Sequence, residues 1–516
     1  MQSNDCSLSE LYVRGEIPSA LEGSFLVAMN RRHKDRGRFS RWHDSQADLL
    51  RLDVVPGRPG RVTAAIVEVD PSGADLGNRF RRSPFEIAAF GKNAAYGYAT
   101  QPNHGVNIAA GRVWATNLLF GAPLELDLYT WAPRRILRYV EPTPDAPRVS
   151  TTAHFAFSRD RSRAYFHQSL LCTETNELPV RASSLKMVKL DLVKDTQRAW
   201  DLIPPPGDSA LEPANFHSAF WWEENGHDYV GLLRTGAVLE SLAPHCRAED
   251  HAVVRMPVST IWFVRIDEKA EQLQAELLPG LEDFHGFAMS HLDVRLPAGD
   301  GFVLYANCKQ SDVAEETHGK NIYGQEPAGL TEHYAGMVAE PFNYGCVLRY
   351  ERLDGQHKLD IFERPYDAAR ASEGHTWLPI NVQTDAAQQA VYCSFAGFRP
   401  RLLPQHVFGA YSDIAVDPTR VRYVPPLIMR LDAQTLEPQR VKGRGHVTYA
   451  EPLAMTVIGD CEFGYLCTFS PEQGLRVLCA ADMNRVVAYA VNHELWHWND
   501  LHFRPDPPHM VHVRTA

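Results

Sequence analysis

The sequence predicts an all-β protein, a propeller or a large barrel, and three observations carry that prediction. Short runs rich in β-branched and aromatic residues recur along the whole chain, often alternating apolar with polar. Convincing helical periods are few. Gly (34) and Pro (35) are spread evenly, and no linker, low-complexity or single-charge block divides the chain. Its 516 residues would suggest about three average domains. More than a dozen short strands in an undivided chain read instead as one closed β domain over residues 1–516.

The strand-like runs are, in order, Gly23–Val27, Leu49–Val54, Arg61–Val69, Arg112–Asn117, Arg163–His167, Met187–Leu192, Ile261–Ile266, Phe302–Cys308, Val347–Arg352, Val391–Phe395, Leu427–Leu431, Gly464–Phe469 and Val477–Ala481. Pro, Gly, Asp or Asn stand at their borders, where turns need them. No blade motif of the WD or kelch type repeats, so these runs alone leave the number of blades open.

Composition removes several classes of function. Hydrophobic residues make up 44%, aromatics 10% and charged residues 22%, an ordinary globular balance. With 52 Lys and Arg against 63 Asp and Glu, the net charge of −11 opposes a phosphate backbone, so no nucleic-acid partner is expected. No run of about 18 apolar residues appears, and the start lacks a basic and apolar leader. A cytoplasmic location is expected. Nine scattered cysteines without a C-x-x-C pair read as small buried hydrophobes in a reducing compartment.

Histidine is the unusual residue, at 22. Four segments set one beside aromatic or small residues, at His154, His217, His285 and His509. Each alone reads as a satisfied structural histidine. The spacing says more: 63 residues separate the first pair and 68 the second, with His509 a further 224 along. In a propeller, inward histidines from several blades meet on the axis. Imidazoles suit Fe, Zn, Cu or Ni, and neutral ligands leave the ion its full positive charge.

At these residues the sequence resembles the carotenoid cleavage oxygenases, the family of apocarotenoid oxygenases, lignostilbene dioxygenases and the retinoid isomerase. The resemblance runs nearly end to end. It opens with Val13-Arg14-Gly15-Glu16-Ile17-Pro18 and Leu21-Glu22-Gly23-Ser24-Phe25, followed by Arg41-Trp42-His43-Asp44. Ala115-Thr116-Asn117 and Gly121-Ala122-Pro123-Leu124-Glu125-Leu126-Asp127 precede Ala153-His154, Phe216-His217-Ser218, Phe284-His285 and Pro508-His509 in the family's order. The resemblance implies a seven-bladed β-propeller with a helical dome over the metal-bearing face. It also implies Fe(II) held by His154, His217, His285 and His509. The activity implied is O2-dependent cleavage of an alkene C=C bond in an apolar substrate, giving carbonyl products.

Departures from the family pattern bear on the site. Relatives orient three of the histidines with glutamates, and only Glu451 matches one. Leu119 and Trp377 stand at the other two places, with Glu373 and His375 close to the second. Loss of such a partner costs about 10- to 100-fold in metal affinity or activity. Met510 replaces the family's glycine after the fourth ligand, His512 is a second candidate there, and the glycines usual near Ser45-Gln46-Ala47 are missing. Phe80 and Leu118 fall where stilbene-cleaving relatives carry Tyr and Lys, which disfavours a phenolic stilbene. Phe85, Ile87 and Phe90 read either as a tunnel mouth touching a membrane surface or as an ordinary amphipathic dome helix.

A rival motif, His493-Glu494-Leu495-Trp496-His497, has the form of a zinc-protease signature. It works only on a helix, where residues i and i+4 share a face. Residues Arg485 to Val491 before it read as a strand running into a loop. On a strand the two histidines would lie about 13 Å apart at about 3.3 Å per residue, too far for one zinc. Trp221-Trp222 reads as packing or as cavity lining. The alternatives to the oxygenase are an iron-dependent isomerase or hydrolase-like relative, an enzyme acting on a smaller alkene, and a propeller that binds a lipophilic ligand without turnover.

Overall fold

Apolar alternation becomes antiparallel strand pairing along the whole chain. The computed structural model describes residues 9–31, 46–68, 105–116, 122–141, 148–172, 181–206, 215–235, 238–240, 253–255, 260–281, 287–310, 344–363, 376–398, 427–439, 446–448, 454–470, 474–491, 505–506 and 510–514. Among these the one helical element is a 3-10 turn, Ser19–Leu21. Every strand-like run named above overlaps an observed strand, from Gly23–Arg31 to Gly474–Cys479. The expected dome, with Phe80, Phe85, Ile87, Phe90 and Leu118, lies outside the described residues.

The strands form a ring of blade-like sheets. The first sheet orders Ser9–Glu10, Arg61–Glu68, Gln46–Val55 and Gly23–Arg31, the last also pairing with the C-terminal Pro505–Asp506 and Met510–Val513. A meander of Gly105–Ala109, Arg112–Thr116, Leu124–Asp127 and Pro133–Ile136 follows. Next comes a nine-stranded sheet in two antiparallel halves, joined where Thr196–Ile203 pairs in parallel with Gln272–Leu277. Its far edges return to each other where His154 bridges Ser218, so it nearly closes into a barrel.

Two four-stranded sheets, led by Phe287–Arg295 and Thr376–Thr384, continue the ring. The final sheet runs from Ala454–Ile458 to Val486–Val491, with the N-terminal Tyr12–Gly15 on its outer edge. Alternation along each strand feeds two different cores. In Asn215–Glu224, Trp221 packs into the core between the two halves of the nine-stranded sheet, and Trp222 packs against Phe302 of the next sheet. The tryptophan pair is therefore packing.

Both ends of the chain help close the ring. The last sheet packs on the first through Phe469 and Leu475 against Phe25 and Leu50. Each of these sheets also takes a strand from the opposite terminus. Gly23 permits the close approach of the C-terminal strand, because a Cβ there would lie 2.1 Å from the Val513 carbonyl oxygen. No described helix is long and apolar enough to cross a membrane. Cys393, Cys461, Cys467 and Cys479 are free thiols, and burial pushes those of Cys393 and Cys467 up.

Candidate metal centre

Three histidines converge, His154 and His217 at the two edges of the nine-stranded sheet and His291 on the first strand of the next sheet. His154, His217 and His291 each offer a ring nitrogen, and these atoms all lie within 4.8 Å of one another. Ring centroids are 5.2 Å apart for His154 and His217, 5.5 Å for His154 and His291, and 4.6 Å for His217 and His291.

Backbone hydrogen bonds fix the first two. The N–H groups of Ala153 and His154 both donate to the His217 carbonyl (3.0 and 3.1 Å), and the Ala219 N–H donates to the His154 carbonyl (2.8 Å). Behind His154, Asn107 Nδ2 and Thr116 Oγ1 donate to the Ala153 carbonyl at 2.9 and 2.6 Å. Asn107 Oδ1 in turn accepts the Phe155 N–H at 2.7 Å. One amide side chain thus clamps the backbone on both sides of His154. Gly105 leaves room for the clamp, since a Cβ there would sit 2.3 Å from the Ala153 carbonyl.

Irregular strand pairing aims the rings of His217 and His291. Phe216 faces Arg234 and Ser218 faces Leu233, so His217 is the extra residue of a bulge. Such bulges re-aim a side chain without breaking the sheet. In Phe287–Arg295 the register shifts between Met289 and Leu292, leaving Ser290 and His291 opposite Asn307. Asn307 Oδ1 accepts the His291 N–H at 2.7 Å, and its Nδ2 stands 3.5 Å from His291 Nδ1. His217 Nδ1 lies 3.0 Å from Ser218 Oγ, a hydroxyl able to accept the Nδ1 proton and leave Nε2 as the ligand atom.

Burial favours the neutral form that a metal needs. His154 is pulled down to about 4 by burial, so its imidazole is uncharged at neutral pH. Among the described residues the donor set is three imidazoles without a carboxylate, which suits Fe, Zn, Cu or Ni better than Mg or Ca. Donors on one ion at about 2.0–2.1 Å stand about 3–4 Å apart, so the rings need only turn slightly inward.

Of the residues proposed from sequence, His154 and His217 are brought together here. His285, His509, Glu451, Leu119, Glu373 and His375 lie outside the described residues. Trp377 pairs through its backbone with Gly397. His512 is described and stands apart from the triad: its ring packs 4.7 Å from Phe25, and Nε2 lies 3.3 Å from the Leu21 carbonyl. His291 is the member that sequence reasoning passed over. It lies six residues beyond His285, and the pairing shift that turns it inward leaves no mark in residue type. Val486–Val491 is a strand as expected, while His493 and His497 are outside the described residues.

Two expectations follow from these contacts. Asn107→Ala removes both arms of the clamp at His154 and should weaken metal binding about 10- to 100-fold, measured by competition with a chelator. A second concerns acid. His154 and the fully buried His167, pulled down to about 4 and about 3 by burial, are neutral in the fold. Both take up protons near pH 6.5 when unfolded. Stability is therefore full above about pH 6.5 and falls below it. The loss is about 1.4 kcal/mol per pH unit for each histidine, until the folded-state values are reached. Unfolding curves of the metal-free protein across pH test this, with His167→Leu giving a shallower loss.

Comparison with solved structures adds the fold. A cobalt-substituted Synechocystis apocarotenoid oxygenase aligns at TM-score 0.55 and 12% identity, covering 98% of this chain and 96% of that one. A single-residue variant of the Synechocystis enzyme aligns at TM-score 0.55 and 13% identity over the same shares. An ACO/RPE65 chimera does so at TM-score 0.55 and 12% identity. No protein-family profile matches the sequence, and no curated protein matches it in sequence. Propeller-like sheets, closure by both termini and alignment over nearly the whole chain together give this protein the fold of the carotenoid cleavage oxygenases.

Proposed function

We propose that this chain is a member of the carotenoid cleavage oxygenases, a non-haem Fe(II) enzyme that splits an alkene C=C bond of an apolar substrate with O2. The observation that carries the reading is the three-imidazole cluster, with no carboxylate in it among the described residues, in this fold. In the balanced reaction the C=C bond and the O–O bond break, two C=O bonds form, and each alkene carbon receives one oxygen atom. Fe(II), when bound, supplies the redox chemistry that activates O2.

The chain's own residues hold, orient and exclude. His154, His217 and His291 supply ring nitrogens that face one another. Ser218 and the Asn107 clamp set ring and backbone orientation. His509 supplies the fourth imidazole, and Glu451 orients a ligand through its free ring N–H. His285 is the other candidate for the third place. Apolar walls select the substrate by length and shape, since such pockets discriminate only modestly by chemistry. The same reading places one domain over residues 1–516 in the cytoplasm, as a seven-bladed propeller under a helical dome. Counting the two halves of the nine-stranded sheet as blades beside the other five large sheets supports seven.

Metal analysis and isotope labelling test the proposal. Protein purified without added iron should carry about one iron per chain. A conjugated apolar alkene should yield carbonyls labelled from 18O2 under conditions of slow exchange with water. A fold without iron affinity would overturn the reading, and product formed without label would assign the site to an isomerase.

A further inference from the structure

The sheet that carries His291 holds a pair of residues that alkene cleavage does not use. Cys308 of Gly301–Gln310 stands directly opposite Cys346 of Tyr344–Leu353. The row across the sheet runs Met289, Cys308, Cys346, Glu363, so each cysteine has the other as its one thiol neighbour in that row. Among the described strand pairings no other sets cysteine against cysteine. Cys172 faces Arg181, Cys393 lies between Val382 and Met429, Cys467 between Thr456 and Val477, and Cys479 faces Tyr465.

Register also sets the two on one face. Alternation puts Cys308 on the strand face of Phe302, Leu304 and Ala306, and Cys346 on that of Leu348 and Tyr350, residues that share one core. Opposed residues of an antiparallel pair have Cα atoms about 4.5 or 5.5 Å apart, depending on whether the pair is hydrogen-bonded. Both spacings fall within the roughly 4.4–6.8 Å that a disulfide spans. Opposed Cβ atoms lie about 4.5–5.5 Å apart, somewhat wider than the roughly 3.5–4.5 Å of a relaxed disulfide. A bond here therefore draws the strands together, and bonds of that kind are the ones that small thiols reopen.

The place of the pair gives its closure an effect. Gln310 and Tyr344 are the last residues paired before the two strands part, and Cys308 and Cys346 lie two steps inside them. One step further in is Asn307, whose Oδ1 accepts the His291 N–H. Cys308 also faces Met289, where pairing breaks off for the irregularity that holds His291. We propose that Cys308 and Cys346 close reversibly into a disulfide, with a low-molecular-weight disulfide as oxidant, and that closure steadies the strand end that holds His291. One cysteine thiolate attacks the small disulfide and expels a thiolate from it, and the other cysteine thiolate then displaces the second. Two electrons pass to the oxidant, and one S–S bond replaces another. In a reducing compartment such a bond is transient and senses redox state. The effect on metal rests on the histidine centre proposed above, whereas the bond itself does not.

The test equilibrates the full chain under nitrogen over a series of ratios of glutathione to its disulfide, then quenches in acid, denatures, alkylates and digests. A peptide linked through Cys308 and Cys346 should grow with the disulfide share, vanish on reduction with dithiothreitol and be missing in both Cys308→Ser and Cys346→Ser. Protein freed of glutathione and loaded with Fe(II) should release it to a chelator at least about threefold more slowly in the oxidised than in the reduced form. The same two treatments of Cys308→Ser should give equal release. Cys308 and Cys346 alkylated at every ratio, or recovered only as mixed disulfides with glutathione or another cysteine, would overturn the proposal. A linked peptide with equal release from both forms would overturn the effect on His291. Failure of both forms to bind iron, with the linked peptide present, would remove the histidine centre and the effect on metal with it, while the bond stands.

Discussion

His154→Ala is expected to strip the chain of iron, taking it from about one ion per chain to background and activity down by more than about 100-fold. Loss of a partner one bond removed from the metal already costs about 10- to 100-fold, and this substitution removes a ligand itself. The fold should survive, because His154 sits at a strand edge whose hydrogen bonds are made by backbone atoms. His291→Ala and His285→Ala separate the two candidates for the third ligand. The pairing shift between Met289 and Leu292 favours His291, so its replacement should lose metal while His285→Ala retains it. Retention of iron in His291→Ala with loss in His285→Ala would reassign that ligand.

Trp262→Ala should have the largest effect on stability, about 3–5 kcal/mol. The side chain is fully buried in the core that binds the two halves of the nine-stranded sheet. It supports Phe216, the residue before His217, and carries the Arg234 guanidinium on its ring. Metal affinity should drop together with Tm, because the wall presenting His217 loses its backing. Trp262→Phe should recover part of both. A cost below about 1 kcal/mol would show that neighbours refill the space and that this lobe is no rigid support.

Much of the fold was legible in the sequence because central strands are covered by neighbouring sheets on both faces. Gly301–Gln310, Tyr344–Leu353 and Ala390–Phe398 read as nearly continuous apolar runs for that reason. The strands that lead each sheet were harder to see. Asn215–Glu224, Phe287–Arg295 and Thr376–Thr384 carry polar residues, and each has a register shift that breaks strict alternation. Two of the three histidines, His217 and His291, sit on these strands. His154 and His217 were found because their flanking residues keep a family pattern, whereas His291 is turned inward by an extra residue that no period-two count anticipates.

The exchange of terminal strands has a consequence for the protein's birth on the ribosome. Met510–Val513 must reach back almost the full length of the chain to pair with Gly23–Arg31, and Tyr12–Gly15 must wait for Val486–Val491. Contacts so distant in sequence form slowly, after nearer ones have settled. Until these pairings form, the first and last sheets each keep an unpaired edge, the feature of a sheet most open to pairing with another chain. Because His509 adjoins the closing strand, the proposed ligand set is complete only when Met510–Val513 has paired with Gly23–Arg31.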